Sequence, residues 1–293
     1  MSIKSWLNKN TQSLSGKVVA LFGASGGLGQ ELCRYILALG GRLIVIDRNP
    51  KKQRALIDTL LGEYPDGSID GLICDLEDID SVKQVVCELE KLDVDIIIHN
   101  AGAYSIPRRI CKTGLDNVFQ INFASPYYIT RSLLPHLEAK GGRVVVLGSI
   151  AHNYSKTDPE DTDFRTRKKA SLAYGNAKRY VMFSHLELTK THPNVHISVA
   201  HPGITFTNIT AHYPKLIFAI IKRPMKLIFM RPKKAALSVV GAMFCDTPAY
   251  SWIGPRLFDV WGLPRIKKLK TCKNEEIMHI YAKSEEIYTF LCN

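Results

Sequence analysis

The stretch VVALFGASGGLG, residues 18–29, decides the fold class of this chain. Its first five residues, Val18–Phe22, predict a buried strand, and apolar residues then recur at helical spacing as far as Leu39. Four glycines lie between strand and helix, where they let the backbone bend and approach a pyrophosphate closely. The helix N-terminus offers free N–H groups to that anion. A plain turn would explain the glycines alone, but their place in the first strand–helix unit predicts a dinucleotide-binding loop.

Further short apolar runs alternate with helical patterns along the chain. They predict strands over residues 43–46, 72–74, 94–99, 144–147 and 196–200. Such alternation implies a parallel sheet covered on both faces, so we predict an α/β, doubly wound (Rossmann) fold in a single domain with a helical lid. The expected organisation is an N-terminal arm over residues 1–14, the domain over 15–264, and a basic tail over 265–293. A helix predicted over 275–291 packs on the domain or on a second subunit.

Polar residues at the predicted strand ends indicate which cofactor binds. Asp47 ends the second strand about 20 residues after the glycines, where a carboxylate accepts hydrogen bonds from an adenosine ribose. The same charge repels a 2′-phosphate and therefore favours NAD over NADP. Arg48 follows directly and weakens that discrimination, which leaves NADP as the second choice.

Tyr174 and Lys178 lie four residues apart and therefore share one face of a predicted helix. A free tyrosine has a pKa near ~10 and is a poor base at neutral pH. A nearby ammonium and a positively charged nicotinamide favour the phenolate and lower that pKa. Tyr174 can then exchange a proton with an alcohol or carbonyl while a hydride moves, and Ser149 can hold the substrate oxygen. The Tyr-x-x-x-Lys spacing occurs by chance in many helices, so it is weak by itself.

Taken together and in order, these residues resemble the short-chain dehydrogenase/reductase family over residues 14–264. The resemblance is carried by the glycine loop, Asp75, Asn100-Ala101-Gly102, Asn122, Ser149, Tyr174, Lys178 and Pro202-Gly203. It implies about seven parallel strands. It also implies a catalytic tetrad of Asn122, Ser149, Tyr174 and Lys178, in which Asn122 helps to hold a water that links Lys178 to solvent.

The resemblance and the strand ends together define an expected cofactor site. Lys178 is expected to bind the nicotinamide ribose, and the Pro202-Gly203 loop with Thr207 to hold the carboxamide. The expected cofactor-binding residues are Gly23, Ser25, Gly27, Leu28, Gly29, Asp47, Arg48, Asp75, Leu76, Asn100, Ala101, Gly102, Tyr174, Lys178, Pro202, Gly203 and Thr207.

The spacing of the catalytic residues narrows the branch of the family. Ser149 and Tyr174 are 25 residues apart, with Ala151-His152 after the serine. This long spacing resembles the retinol dehydrogenase and WW-domain oxidoreductase branch, which acts on lipophilic alcohols and ketones such as retinoids and steroids. That branch often uses NADP, so Asp47 is a departure. The expected activity is hydride transfer between NAD(H) and a lipophilic alcohol or carbonyl.

Residues 204–232 alternate apolar runs with lysines and arginines and are expected to form a substrate lid. Two alternatives are contact with an anionic membrane surface and plain packing of two helices. His201, His212 and Tyr213 are candidates to line the pocket, although lone histidines are more often structural. The nine histidines show no metal-ligand spacing, so no metal site is expected.

The amino-acid composition limits which binding partners and which cellular location are expected for the protein. The net charge of +12 favours anionic partners in general, but no nucleic-acid motif is present. Seven cysteines without a CxxC pair indicate a reducing compartment. No stretch approaches the ~20 apolar residues of a membrane-spanning helix. We expect a cytoplasmic or peripherally membrane-associated protein whose partner is a lipophilic small molecule, and the family resemblance implies a homodimer or homotetramer.

Two other classes of function compete with an enzyme. A non-catalytic NAD-binding module that senses redox state or scaffolds partners would keep the glycines without needing the tetrad. A basic surface protein with an incidental fold would bind anionic vesicles or DNA in a salt-sensitive way, independently of NAD.

Overall fold

An eight-stranded sheet forms the centre of the computed structural model, which describes residues 2–204, 230–269 and 272–293. The strand order is β3-β2-β1-β4-β5-β6-β7-β8. The strands are β1 (Val18–Phe22), β2 (Arg42–Asp47), β3 (Ile69–Ile73), β4 (Ile96–His99), β5 (Arg143–Leu147), β6 (His196–Ala200), β7 (Ser251–Leu257) and β8 (Trp261–Lys268).

Helices cover both faces of the sheet. They are α1 (Ile3–Asn10), α2 (Gly27–Ala38), α3 (Pro50–Glu63), α4 (Ile79–Lys91), α5 (Asn117–Phe119), α6 (Ser125–Lys140), α7 (Ala170–Thr191), α8 (Pro232–Ala235), α9 (Leu237–Ala242) and α10 (Asn274–Cys292). A π-helical turn, Gln120–Ala124, joins α5 to α6, and a 3-10 turn, Ile150–Tyr154, follows β5. Within the part of the chain that the structure describes, no helix is long and apolar enough to cross a bilayer.

The central strands are apolar on both faces, which is why they form the middle of a parallel sheet. In β1, Ala20 and Phe22 lie in the core on one side of the sheet, and Val19 and Leu21 lie in the core on the other. This is the continuous apolar pattern of a strand covered twice. The doubly wound fold is therefore confirmed.

Seven of these strands run parallel, as the family resemblance implied, but β8 pairs antiparallel to β7. The expectation of a tail from residue 265 is wrong at its start, because Ile266 pairs with Ile253 inside the sheet. The clustered lysines indicated a solvated tail. The structure instead makes residues 265–268 part of edge strand β8, because they pair with β7 and because Leu263 of the same strand packs against the core. The domain therefore continues past residue 264.

The predicted C-terminal helix is present as α10 and packs on its own domain, one of the two alternatives. Its apolar residues Ile277, Ile280, Ile287 and Leu291 join the core on one side of the sheet, where the helix contacts α6 and α7. The N-terminal arm is also attached, because Trp6 of α1 is buried against Gly241 of α9. The predicted lid falls largely on residues 205–229, outside the described residues.

Candidate active site

A cavity of about 670 Å³ lies at the carboxyl ends of the parallel strands. Residues that follow β1 to β6 line it in turn, which is where doubly wound folds bind their ligands. The predicted site residues that line it are Gly23, Ser25, Gly27, Leu28, Gly29, Asp47, Arg48, Asp75, Leu76, Asn100, Ala101, Gly102, Ser149, Tyr174, Lys178, Pro202 and Gly203. Asn122 lies behind this lining, and Thr207, His212 and Tyr213 lie outside the described residues.

Two glycines of the loop between β1 and α2, Gly23 and Gly29, have no space for a side chain. A Cβ on Gly23 would lie 2.7 Å from the Ala101 Cα, and a Cβ on Gly29 would lie 2.3 Å from the Gly23 carbonyl oxygen. The N-cap residue of α2, Gly26, makes no side-chain cap, so the first turn presents its N–H groups to the cavity. Unpaired N–H groups and the positive end of a helix fit a pyrophosphate.

Asp47 has a second role that sequence reasoning missed. Its carboxylate accepts hydrogen bonds from both the backbone N–H and the hydroxyl of Ser25, each at 2.9 Å, and so fastens the glycine loop to the end of β2. Burial raises the pKa of Asp47, and the two bonds from Ser25 lower it. A carboxylate has about four lone-pair sites, so it can still accept from a ribose hydroxyl.

Cations flank Asp47 on its outer side. Arg48 is 66% exposed and lies 3.8 Å from a carboxylate oxygen of Glu77. Asn49 and Lys52, which sequence reasoning missed, also line the cavity here. They could have been found from their position at the start of α3, directly after the predicted ribose-binding carboxylate.

Tyr174 lines the cavity near the ends of β5 and β6, whereas Asp47 lines it at the end of β2. Its side chain is partly exposed to the cavity, while protein surrounds it on the other sides. Ser149 lines the cavity beside it, and the ring of Tyr104 meets the Tyr174 ring edge-on at 5.1 Å between centroids. The Lys178 Nζ lies 5.5 Å from the centroid of the Tyr174 ring.

The expectation that Lys178 and a positively charged nicotinamide together lower the pKa of Tyr174 stays a prediction, because the structure shows the pKa only for the protein without cofactor. Burial raises the pKa of the Tyr174 phenol to about 12, the side chain of Ser149 lowers it, and Tyr104 raises it. Burial also lowers the pKa of the Lys178 ammonium to about 8. Burial is therefore the largest influence on both groups in the protein without cofactor, and residue spacing alone does not reveal burial.

Lys178 and Asn122 meet behind the loop that follows β4. The Lys178 Nζ donates to the Leu147 carbonyl at 2.9 Å. A Cβ on Gly102 would lie 2.9 Å from the Asn122 Oδ1 and 3.8 Å from the Lys178 Nζ, so only glycine allows this approach. The structure thus places Lys178 close to both Asn122 and Tyr174, and the catalytic roles of the three residues stay predictions.

Both polar atoms of the Asn122 side chain form hydrogen bonds with backbone groups. Its Nδ2 donates to the carbonyls of Ala103 at 2.7 Å and Val118 at 2.8 Å, and its Oδ1 accepts from the Ala103 N–H at 3.3 Å. It lies in the π-helical turn, Gln120–Ala124, which aims its amide at the loop after β4. Holding that loop is a role that the family resemblance did not imply.

A buried polar chain behind Ser149 was also missed. His152 donates from Nδ1 to the Ser149 carbonyl at 2.6 Å, and Arg179 donates to the His152 carbonyl at 2.9 Å. Glu276 of α10 accepts from Arg179 through both oxygens, at 2.6 and 2.7 Å. The C-terminal helix therefore supports the loop that carries Ser149. Arg179 follows Lys178 directly, but nothing in the sequence indicated its partner.

The loop after β6 completes the cavity. Gly203 adopts a φ of +79°, and a Cβ there would lie 2.8 Å from the Val260 carbonyl oxygen. His201 stacks on Trp252 with 4.7 Å between ring centroids and donates from Nε2 to the Asp259 carbonyl at 3.0 Å. Burial lowers the pKa of His201 to about 4, so it is a neutral, structural histidine.

Among the residues with described placement, no cluster of three or more His, Cys, Asp or Glu side chains is arranged to hold a metal ion. The groups that line the cavity include the phenol of Tyr174, the ammonium of Lys178, the carboxylates of Asp47 and Asp75, hydroxyls and backbone N–H groups. This set can bind a dinucleotide and move a proton.

Comparison with known proteins supports this geometry. Residues 17–215 match the short chain dehydrogenase family. The chain is 29% identical over 273 residues to the short-chain dehydrogenase TIC 32 A, chloroplastic, of Brassica napus, covering 86% of this chain and 81% of that protein. It is 28% identical over 282 residues to retinol dehydrogenase 14 of Mus musculus, covering 90% and 80%. It is 23% identical over 287 residues to polyprenol dehydrogenase of Homo sapiens, covering 92% and 84%.

Solved structures share the fold. A protein of Mycobacterium paratuberculosis superposes with a TM-score of 0.77 at 24% identity over 96% of each chain. A short-chain dehydrogenase of Sphingobium yanoikuyae, solved with NADPH, superposes with a TM-score of 0.59 at 19% identity, covering 76% of this chain and 82% of that one. With the family pattern and the cavity in agreement, the chain belongs to the short-chain dehydrogenase/reductase family, as an NAD(P)-dependent oxidoreductase of its retinol dehydrogenase-like branch.

Proposed function

We propose that this protein transfers a hydride between NAD(H) and a lipophilic primary or secondary alcohol or the matching carbonyl, with Tyr174 as the acid and base. The observation that carries the proposal is that Tyr174, Ser149 and Lys178 line the same cavity, with the buried Lys178 Nζ 5.5 Å from the centroid of the Tyr174 ring. These three groups are the ones that proton transfer to and from a substrate oxygen needs.

Each residue has one task in the reaction. Bound NAD supplies the hydride acceptor and a positive nicotinamide. Ser149 donates a hydrogen bond to the substrate oxygen, and Tyr174 takes the alcohol proton as the C–H bond breaks, or returns it to a carbonyl. Lys178 holds the nicotinamide ribose and stabilises the phenolate of Tyr174. Because burial raises the pKa of this phenol to about 12, the positive charges on both sides of it must lower the pKa for base catalysis near neutral pH.

The preference for NAD rests on Asp47. Its carboxylate stands at the end of β2, only 9% exposed, where the adenosine ribose of a dinucleotide lies. A 2′-phosphate would meet this charge at close range. Arg48 and Lys52 offset part of the repulsion, so NADP is expected to bind more weakly without being excluded.

The proposal of a lipophilic substrate is based on the residues that line the cavity near Tyr174. Tyr104, Ile106, Ile150, Tyr154 and Ile204 line the cavity at this end and offer an apolar surface with few polar groups. The names of the retinol and polyprenol dehydrogenases among its relatives point to the same class of substrate.

The test is a turnover screen. Purified protein is mixed with retinoids, steroids, polyprenols and simple secondary alcohols, each with NAD and with NADP, and the absorbance of the reduced nicotinamide is followed. We expect turnover of an apolar alcohol, with a higher kcat/KM for NAD. Binding of cofactor without turnover of any alcohol or ketone would support the non-catalytic module instead.

A further inference from the structure

The turn between β7 and β8 exposes an unusual apolar surface. Phe258 is 85% exposed, Leu257 52% and Trp261 39%, all within five residues. Phe258 has the largest exposed fraction among the large apolar side chains of the described residues. We call residues 256–261 the hairpin tip. Contiguous apolar groups of this size at a protrusion mark a contact site.

The backbone of the hairpin tip does not favour an aromatic residue. Phe258 and Asp259 have φ values of +52° and +57°. Tight hairpin turns with positive φ normally use Asn or Gly at these positions, because larger side chains are strained there. A phenylalanine that is strained and exposed contributes little to folding, so we look for its contribution in binding.

Exposed cations lie at and beside the hairpin tip. Arg256 belongs to the tip, and Arg265 pairs across the strands with Gly254, three residues before Leu257. Both are exposed, and neither has a carboxylate partner among the described residues. The one acidic residue of the tip, Asp259, is already paired with Lys267 at 2.8 Å. The tip is therefore an apolar point with a rim of two exposed cations, on a protein whose net charge is +12.

The hairpin tip also adjoins the substrate end of the cavity. The carbonyl of Asp259 accepts a hydrogen bond from His201, and the carbonyl of Val260 lies against Gly203. His201 and Gly203 both line the cavity. A surface that contacts the tip is thus one loop away from the place where we propose that the alcohol binds.

We propose that the hairpin tip inserts into the interface of an anionic lipid bilayer, so that a lipophilic substrate passes from the membrane into the adjacent cavity. The delivery step rests on the proposed function, whereas the docking does not. Aromatic and aliphatic side chains enter the headgroup region, and the two arginines beside them pair with anionic lipids. This site is separate from the membrane contact considered for residues 214–232.

A second copy of the chain fits this surface less well than lipid does. Edge strand β8 carries Pro264 and several cations, which are the features that prevent strands from pairing edge to edge. Two such rims would also bring like charges together. An anionic bilayer meets both the apolar point and the cations.

Vesicle binding tests the docking directly. The protein is sedimented with vesicles of phosphatidylcholine alone and of phosphatidylcholine with phosphatidylserine, over a range of salt. We expect salt-sensitive binding to the anionic vesicles. Trp261 is an internal reporter, because the other two tryptophans, Trp6 and Trp252, are buried, so its emission should shift to the blue on binding.

Variants locate the contact. Leu257→Ser with Phe258→Ser should weaken partitioning by roughly 10-fold or more, since two exposed apolar side chains are lost. Changing Arg256 and Arg265 to Gln should weaken it by roughly 25-fold, because each cation near an anionic surface contributes about 5-fold. Phe290→Ser is the matched control, since Phe290 is 58% exposed on α10, and it should bind like wild type.

The outcomes separate the docking from the activity. Absence of binding to anionic vesicles, an unshifted Trp261 emission, or equal binding by wild type and the hairpin-tip variant overturns the proposal. A wild-type dimer in size-exclusion chromatography that the tip variant dissociates assigns the surface to a second copy and also overturns it. If vesicles do not bind but a water-soluble alcohol is still oxidised, only the docking is wrong. If vesicles bind but no alcohol is turned over, the proposed function is wrong.

Discussion

Replacing Glu276 of α10 by glutamine tests how far the catalytic loop depends on the C-terminal helix. Glu276 holds Arg179 through two hydrogen bonds, and Arg179 holds the carbonyl of His152, which in turn donates to the carbonyl of Ser149. Glutamine keeps the shape and one acceptor but removes the charge. The side chain of Arg179, only 3% exposed, then loses the negative charge of Glu276.

The size of the effect follows from the burial of the two partners. Removing one partner of a fully buried ion pair costs about 3–5 kcal/mol. Glu276 is 18% exposed and glutamine keeps one hydrogen bond, so we expect a smaller loss of about 2 kcal/mol in the free energy of unfolding. For a chain of this size, that loss lowers the Tm by roughly 5 °C.

The same pair gives the stability a defined pH dependence. The hydrogen bonds and charge of Arg179 outweigh the effect of burial and lower the pKa of Glu276 from 4.5 to about 2. A carboxyl whose pKa is lower in the folded state contributes stability that is fully present above its unfolded pKa and is lost as the pH falls toward the folded pKa. The difference in Tm between wild type and Glu276→Gln should therefore be largest above pH 4.5 and shrink as the pH falls toward 2.

Kinetics separate positioning from stability. A shift of Ser149 that follows the loosened loop should lower kcat by roughly 10-fold, because small misplacements of reacting groups are costly. The Kd of NAD should stay unchanged, since the glycine loop and Asp47 belong to other elements. Glu285→Gln is the matched control. Glu285 lies on the same helix and pairs with Arg131 of α6, so it should lower the Tm but not kcat. Equal kcat values for wild type and Glu276→Gln at a lowered Tm would refute the positioning role.

Two further substitutions probe the cofactor site. Gly29→Ala should abolish cofactor binding while the protein still folds, because the new Cβ would lie 2.3 Å from the Gly23 carbonyl oxygen and must displace the glycine loop. Calorimetric titration with NAD measures the Kd. A Kd within twofold of wild type would contradict this prediction. Asp47→Ser should shift the ratio of kcat/KM for NADP over NAD upward by at least ~10-fold, because the charge that repels the 2′-phosphate is gone, and it should weaken NAD binding, because Ser25 loses its acceptor. An unchanged ratio would mean that Asp47 only fastens the loop.

The sequence predicted the fold well because the signals that define it are local. The strands β1, β4 and β5 contain contiguous apolar runs, and each residue expected at the end of such a strand needed only the run before it to be recognised. Parallel strands bring their carboxyl ends to one edge, so Asp47, Asn100 and Ser149 converge without any further information.

The parts that the sequence did not predict depend on distant contacts or on burial. Arg179 and Glu276 are 97 residues apart, and a charged pair of this kind leaves no periodic pattern. Ile266 reads as one apolar residue among lysines until Ile253 is placed beside it. The raised pKa of Tyr174 arises from desolvation, which only the packed structure supplies.

The most direct test of the central claim, that Tyr174 is the acid and base, is to compare hydride transfer and NAD binding in Tyr174→Phe. The control is Tyr104→Phe, which alters the neighbouring ring that contacts Tyr174. We predict that Tyr174→Phe binds NAD like wild type while its kcat falls by roughly 10²–10⁴-fold, and that Tyr104→Phe retains most of its activity. A Tyr174→Phe enzyme that turns over within a few-fold of wild type would contradict the mechanism.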